Sequence, residues 1–330
     1  MLYLNLYTER SQYMFIRKRS KPRTLQKIDA LIPRLPQNHP QIPSLKKHAA
    51  KLQKGYNGER RLDYYLQSLP NEFYVLSDVG LTIHKKDFQM DSLIVSPHAI
   101  YMIETKNLEG ILTFDTTHRQ LIQSNNQKNK SYTFPIIQAE NTSFLMMQWL
   151  LKHGFNGIPI HIFVAIAQPN TIIRVNGDEE IIEKYVIQAE EAALRIINIE
   201  DKYRKTVGNH QRRNKITSKV MEYVKDFEMD IYGKYNIDPL EILPGTRCVE
   251  CGHIGMDFHR GIWSCKKCNI STKNAHITSI NDFQLLFKKE MRVKEAMHFL
   301  GLPNRYTTYR ILKKSNVIYQ HNTKMWISTY

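Results

Sequence analysis

Two stretches of the chain carry residue types that do chemistry at spacings that bring them together. The first is MDSLIVSPHAIYMIETKN, residues 90–107, where two apolar runs flank Ser-Pro-His and each run holds a carboxylate, Asp91 or Glu104. Side chains of a strand alternate between faces, so Glu104 and Lys106 share one face and Thr105 takes the other. Folded back antiparallel about Pro97-His98, the runs oppose residues whose numbers sum to 195, which sets Asp91 against Glu104. Directly opposed Cβ atoms lie about 4.5–5.5 Å apart, and like charges there destabilise a sheet. Mg²⁺ or Mn²⁺ offsets such repulsion, because both prefer hard carboxylate oxygens and keep several waters beside one or two of them. Upstream, GYNGERRLDYYLQSL puts Glu59 on one helical stripe with Leu62 and Leu66. A carboxylate there is costly to bury unless it is paired or metal-bound. Singly, each of these acids reads as an edge residue or a surface ion pair; three inward carboxylates with a same-face lysine read as a metal site.

The second stretch is CVECGHIGMDFHRGIWSCKKC. It holds all four cysteines, Cys248, Cys251, Cys265 and Cys268, as two Cys-x-x-Cys pairs separated by thirteen residues. Two thiolates from each of two tight turns converge tetrahedrally on Zn²⁺, and Gly252 stands where such a turn needs a positive φ. Four thiolates leave no open position, so the expected zinc is structural. It stands in for the core that so small a module cannot build. Clustered cysteines argue against a disulfide framework, and His253 and His259 are expected as surface residues or nucleic-acid contacts.

These groups need elements to position them. A helical pattern runs from Ser44 to Leu69, interrupted by Gly55 and Gly58, and strand-like runs follow at Phe73–Ile83, Phe88–Val95, Ala99–Lys106 and Ile111–Phe114. SNNQKNKS reads as a polar loop, Pro135 opens an amphipathic helix to about Lys152, and Ile158–Ala167 returns as a strand. The pattern predicts an α/β fold, a mixed sheet flanked by helices. The expected organisation is a basic N-terminal arm (1–44) with a short helix near Leu25–Leu31, this α/β domain (45–184), a helical basic linker (185–243), a Cys₄ zinc ribbon (244–275) and a C-terminal module (276–330).

In that last module, Val293, Ala296, Met297 and Leu300 have helix spacing, Gly-Leu-Pro makes a turn, and Tyr306, Tyr309 and Leu312 resume helix spacing. Two short helices at a tight turn predict a helix-turn-helix, with VIYQHNTKMWIS as the hairpin of a wing. The second helix is expected to present Arg305, Thr307, Thr308 and Arg310 to a major groove and Lys313 and Lys314 to phosphates. Tyr306, Tyr309 and Trp326 are expected in the core.

The helix with GYNGE, the strands FQMDSLIVS and YMIETKNLEG and the downstream PIIQAEN together resemble the NERD family, the nuclease-related domain, itself similar to PD-(D/E)XK phosphodiesterases. The likeness covers roughly residues 45–165. It implies that Asp91 and Glu104 are the motif's two acids, Lys106 its lysine, Glu59 the helix-borne glutamate and Gln138 the glutamine that follows in related nucleases. Met90 stands where the motif has proline. In such a site Asp91, Glu104 and Glu59 would hold Mg²⁺ or Mn²⁺ against the scissile phosphate, and Lys106 would orient water or stabilise charge on the phosphorane. Gln138 would contact the phosphate or the water.

Charge distribution agrees with a polyanionic partner. Of the formal +16, residues 1–50 carry 10 Lys+Arg against 2 Asp+Glu, residues 51–200 carry 14 against 17, and residues 201–330 carry 23 against 12. Basic flanks suit nucleic acid, since each neutralised phosphate releases counterions. MLYLNLYTER meets charge too soon for a secretory signal, and no uncharged apolar run approaches the roughly 18 residues that cross a bilayer. The sequence therefore predicts a cytoplasmic, metal-dependent deoxyribonuclease on double-stranded DNA. The rival is a non-catalytic DNA-binding or regulatory protein built on a nuclease-like scaffold.

Overall fold

The apolar runs on either side of Ser96-Pro97-His98 form a hairpin at the centre of a mixed sheet. The computed structural model describes residues 14–125, 128–203 and 207–328, so residues 1–13 of the expected basic arm lie outside the described residues. Packing divides the chain into two units. One takes in residues up to Ser20 with Gln53–Phe227, the other Lys21–Leu52 with Glu228–Tyr330.

The first unit contains β1 (Phe15–Arg17), β2 (Tyr74–Ile83), β3 (Lys86–Val95), β4 (Ile100–Lys106), β5 (Ile111–Asp115), β6 (Gln120–Asn125), β7 (Lys128–Thr133), β8 (Ile160–Ile166), β9 (Ile172–Asn176) and β10 (Val186–Gln188). Six make the main sheet, in the order β1-β2-β3-β4-β8-β10. Pairing is antiparallel from β2 to β4 and parallel at β1/β2, β4/β8 and β8/β10. The central strands read as near-continuous apolar runs because both faces are covered. Val75, Ile94, Tyr101 and Ile103 pack on one face against Leu62, Leu66 and Ile196. Leu76, Leu93 and Met102 pack on the other against Met146, Trp149 and Val220. The covering residues come from the helices Ile42–Leu66, Ala192–Glu200, Pro135–Lys152 and His210–Tyr223. Part of the stretch expected as a linker thus supplies the edge strand β10 and two of these helices.

The turn of the β3–β4 hairpin is tied to the Ala192–Glu200 helix. Glu200 accepts hydrogen bonds from Ser96 Oγ (2.8 Å) and Tyr101 OH (2.6 Å), and His98 Nδ1 lies 2.6 Å from its other oxygen. With the turn fixed, strand register is fixed as well.

A second sheet has the order β7-β6-β5-β9. Its β6–β7 pair corrects one expectation: the described parts of SNNQKNKS, residues 124–125 and 128–131, are strand rather than loop, with Ser124 opposite Asn129 and Asn125 opposite Lys128. Residues 126 and 127 lie outside the described residues. Lys128, Asn129 and Lys130 are all exposed, so no alternation marks the strand, and backbone pairing to β6 alone defines it.

The second unit folds around Trp263, Ala275, Phe283, Leu300, Leu312 and Trp326, with Ile28, Leu31 and Leu45 completing the core. Ile28 and Leu31 belong to the helix Arg23–Leu31, where the short helix was expected. Its strands are β11 (Asp257–His259), β12 (Ile262–Ser264), β13 (Ser271–Thr272), β14 (Glu290–Met291), β15 (Val317–Gln320) and β16 (Met325–Ser328), in two three-stranded sheets ordered β11-β12-β13 and β14-β16-β15. After the helix Ala275–Leu286, the helix Val293–Leu300 ends on Gly301 in the left-handed region (φ +70°). Asn304 then caps Arg305–Lys313, its side chain accepting the Thr307 N–H at 2.9 Å. No helix among the described residues is long and apolar enough to cross a membrane.

Candidate active site

Pairing of β3 with β4 runs from Val95↔Ile100 to Ser92↔Ile103, the register in which numbers sum to 195, and stops one step short of Asp91 and Glu104. Asp91 Oδ2 instead accepts the Thr105 N–H at 2.8 Å. On its other side, Ser77↔Ser92 and Val79↔Met90 pair, while Asp78 and Asp91 between them do not. Asp78 has φ +54°, a left-handed conformation that few residues other than glycine adopt. The ladder is broken on both flanks of Asp91, and its carboxylate turns to a backbone donor.

Glu104 and Lys106 share a face, as alternation requires. Lys106 Nζ lies 2.8 Å from Glu104 Oε1 and donates to Gln138 Oε1 at 3.1 Å, while Gln138 Nε2 donates to Glu104 Oε1 at 2.7 Å. Gln138 sits in the first turn of the Pro135–Lys152 helix.

Glu59 arrives on the helix Ile42–Leu66, which continues through Gly55 and Gly58. The interruption expected there is absent because the helix pays for glycine with packing: a Cβ on Gly58 would stand 2.4 Å from Asn107 Cβ. Asn107 Nδ2 donates to the Lys54 carbonyl at 2.7 Å. A missing side chain at residue 58 therefore lets the helix lie against the segment just after Lys106.

One group at this site gave no sequence signal. Arg19, with a side chain 2% exposed, lies 2.8 Å from Asp63, 3.0 Å from Glu59 and 2.7 Å from Asp78. It also donates to the Asp91 carbonyl at 2.8 Å and to Ser92 Oγ at 3.0 Å. It lay unmarked within the basic run RKRSK. Asp63 was legible, since it falls four residues after Glu59 on one helix face.

Even with Arg19 in place the acids repel one another. Burial pushes the Glu59 carboxyl up, the charge on Asp91 adds to this, and Arg19 opposes it. Glu104 is raised by burial and then by Asp91, against Lys106 and Gln138. Asp91 is raised by burial, with the Thr105 N–H, Arg19 and Lys106 acting the other way. Burial also lifts Asp78, to about 6, against Arg19. Burial alone would lower Arg19, but Asp63, Asp78 and Glu59 carry it above its ordinary value.

A glutamate on the covering helix, a strand-borne Asp and a Glu-x-Lys on the next strand, in that chain order, point to one comparison. Residues 54–167 match the nuclease-related domain, NERD. No curated protein and no solved structure matches the chain. The NERD span contains Glu59, Asp91, Glu104, Lys106 and Gln138; Arg19 and the cysteines lie outside it.

The cysteines form a separate centre in the second unit. Sγ atoms of Cys248 and Cys268, and of Cys251 and Cys265, are 3.6 Å apart, and all four lie within 4.8 Å of one another. Tetrahedral Zn²⁺ at about 2.3 Å from each sulfur would separate them by about 3.8 Å, so the quartet can hold zinc. Gly252 (φ +71°) and Asn269 (φ +58°) close the two turns in the left-handed region. Among the described residues this is the one group of three or more His, Cys, Asp or Glu with such spacing; Glu59, Asp91 and Glu104 do not meet it.

On the helix Arg305–Lys313 and just beyond it, Arg305, Arg310, Lys313 and Lys314 are exposed and Thr307 is half-buried. Thr308 corrects the expectation of a groove-facing residue: it is fully buried and its hydroxyl donates to the Asn304 carbonyl at 2.8 Å. It shares the buried side of this helix with Ile311 and Leu312. Tyr306, expected in the core, is 72% exposed, with the Arg310 guanidinium 5.7 Å from its ring centre.

Proposed function

We propose that the chain is a Mg²⁺- or Mn²⁺-dependent nuclease of the cytoplasm that hydrolyses phosphodiester bonds in DNA through a PD-(D/E)XK-like site. The observation that carries this reading is the Asp91 carboxylate, whose charge acts on both Glu59 and Glu104 beside the Lys106–Glu104–Gln138 triangle. Hard oxygen donors kept under mutual repulsion fit a divalent cation. Asp91 and Glu104 would hold it, with Glu59 the third candidate. When bound, the ion would supply charge for the scissile phosphate and lower the pKa of a water.

The chain's own groups do the rest. Lys106, tethered to Glu104 and Gln138, presents an ammonium where it orients the attacking water and meets charge developing on the phosphate. Gln138 holds both partners of that pair and has a further N–H for a phosphate oxygen. In the second unit, the cysteine quartet is a structural zinc site. The helices Val293–Leu300 and Arg305–Lys313 act as a helix-turn-helix with β15–β16 as its wing. Arg305, Thr307 and Arg310 face the bases of double-stranded DNA, and Lys313 and Lys314 its phosphates.

The test is degradation of linear, circular and single-stranded DNA with Mg²⁺ or Mn²⁺ by the wild type, Asp91→Ala and Lys106→Ala. Loss of cleavage in both variants is expected, whereas equal cleavage by all three would trace the activity to a contaminant. One observation favours the rival scaffold reading: Arg19 already pairs with Glu59, and the three acids do not converge as the cysteines do. That reading expects DNA binding without cleavage, unchanged when Asp91 and Glu104 are replaced.

A further inference from the structure

Between the cysteine module and the helix Arg305–Lys313, within the second unit, lies a cleft of about 700 Å³. Its charged lining comes from both sides: Arg260 and Lys273 from the cysteine module, Arg310 and Lys314 from the helix and its end; His259 and His276 line it as well. No aspartate or glutamate is among the lining residues. Like charges gathered in a concave wall repel one another and focus a field that an anion relieves.

A second observation points to a ligand. His276, 6% exposed, lines the cleft, and its Nε2 is buried with no hydrogen-bond partner among the described residues. Trp263 Nε1 donates to its Nδ1 at 3.3 Å. That bond leaves the proton of the neutral ring on Nε2, which no geometric hydrogen bond closes, although the Lys273 backbone acts on the ring. Beside the cleft, Tyr306 exposes 72% of its surface, with Arg310 over its ring.

An exposed aromatic face decides between one strand and two: the bases of a duplex are already stacked on one another, whereas a single strand offers an unpaired base to Tyr306 while the cations follow its backbone. We propose that this cleft binds a single nucleic-acid strand, its phosphates on Arg260, Lys273, Arg310 and Lys314 and one base stacked on Tyr306. The cysteine module then has a direct part in binding, and the substrate includes an unpaired end or stretch. This rests on the nucleic-acid part of the proposed function, gives Arg310 and Lys314 to a single strand where that reading gave them to a duplex, and does not depend on hydrolysis.

The test uses the full zinc-loaded chain without divalent cation, with binding of a fluorescein-labelled oligothymidylate and of a blunt duplex read by anisotropy across a salt series. Arg260→Asn/Lys273→Gln removes two cations at exposed positions, and asparagine tolerates the left-handed backbone of residue 260 (φ +45°). The double variant should bind the single strand about 10-fold more weakly, with a salt slope flatter by about 1.4, and keep its duplex affinity. Tyr306→Ala, at a surface position, should lose about 10-fold for the single strand alone. Single-strand binding equal to wild type in both variants overturns the proposal, and so does equal loss for duplex and single strand. Displacement of the oligonucleotide by adenosine monophosphate at equal nucleotide concentration also overturns it, in favour of a free-nucleotide site. Mg²⁺-dependent cleavage by the same variants reports separately on the acidic site, so either reading can fail alone.

Discussion

Two buried arginines, one in each unit, sit among carboxylates in opposite ways. Arg34 in the second unit is fully buried and lies 3.0 Å from Asp282, which also receives Arg247 at 2.8 Å. Its other donors go to the carbonyls of Leu243 (3.1 Å) and Gly245 (3.0 Å), and its guanidinium lies 4.2 Å from the centre of the Phe299 ring. Burial lowers the Arg34 pKa against Asp282, and its Nε, Nη1 and Nη2 all donate within the protein. Arg19 in the first unit is outnumbered: Glu59, Asp63 and Asp78 surround it, Asp91 adds its charge, and Glu59, Asp78 and Asp91 remain raised. A cluster whose bonds are complete holds the fold. One with carboxylate to spare is where the proposed cation would sit.

The comparison is broken or sharpened first by removing one partner from each cluster. Asp282→Ala leaves two guanidiniums without their carboxylate, and Arg19→Ala leaves the acids without theirs. Each should cost about 3–5 kcal/mol in urea unfolding without added metal. Millimolar Mn²⁺ should restore a large part of the loss in Arg19→Ala and none in Asp282→Ala. Equal indifference to Mn²⁺ would erase the distinction between the clusters.

A smaller effect is expected from Asp78. Its pKa is raised by burial to about 6, from about 3.9 in an unfolded chain, so the native state binds the extra proton between those values. Stability contributed by Asp78 is therefore full below about pH 4 and falls as pH rises through about 6, by up to about 3 kcal/mol. Asp78→Asn, which suits the left-handed backbone, should flatten that part of a melting-temperature profile. An unchanged profile would mean that Arg19 neutralises the acids fully.

The smallest change is Gly58→Ala. The new methyl meets Asn107 at an impossible distance, so the helix must shift, at about 1–2 kcal/mol. Cleavage should fall more than stability does, because Glu59 moves with the helix. Proportionate loss of both would make Gly58 a packing residue only.

Much of the site was legible because strand alternation is a hard constraint. It puts Glu104 and Lys106 on one face, and the short turn sets the register in which paired numbers sum to 195. The cysteine spacing carried its own geometry in the same way. What stayed hidden depends on contacts between distant segments. Nothing local marks Arg19 among its basic neighbours as the residue that sinks into the acids, and β7 lacks alternation where Lys128, Asn129 and Lys130 are all exposed. Gly58 looked like a break because helix propensity was visible and Asn107, packed against it, was not. Thr308 and Tyr306 exchanged places for a related reason: helix spacing gives the stripe but not which side of it the core will cover.

The central claim is that Asp91 and Glu104 hold a divalent cation, and Mn²⁺ binding to the zinc-loaded protein, followed by electron paramagnetic resonance, tests it most directly. Wild type should bind one Mn²⁺ that Mg²⁺ displaces, and Asp91→Asn and Glu104→Gln should lose it while retaining their zinc and their melting temperature. Undiminished Mn²⁺ binding in those variants, or none in the wild type, would contradict the account.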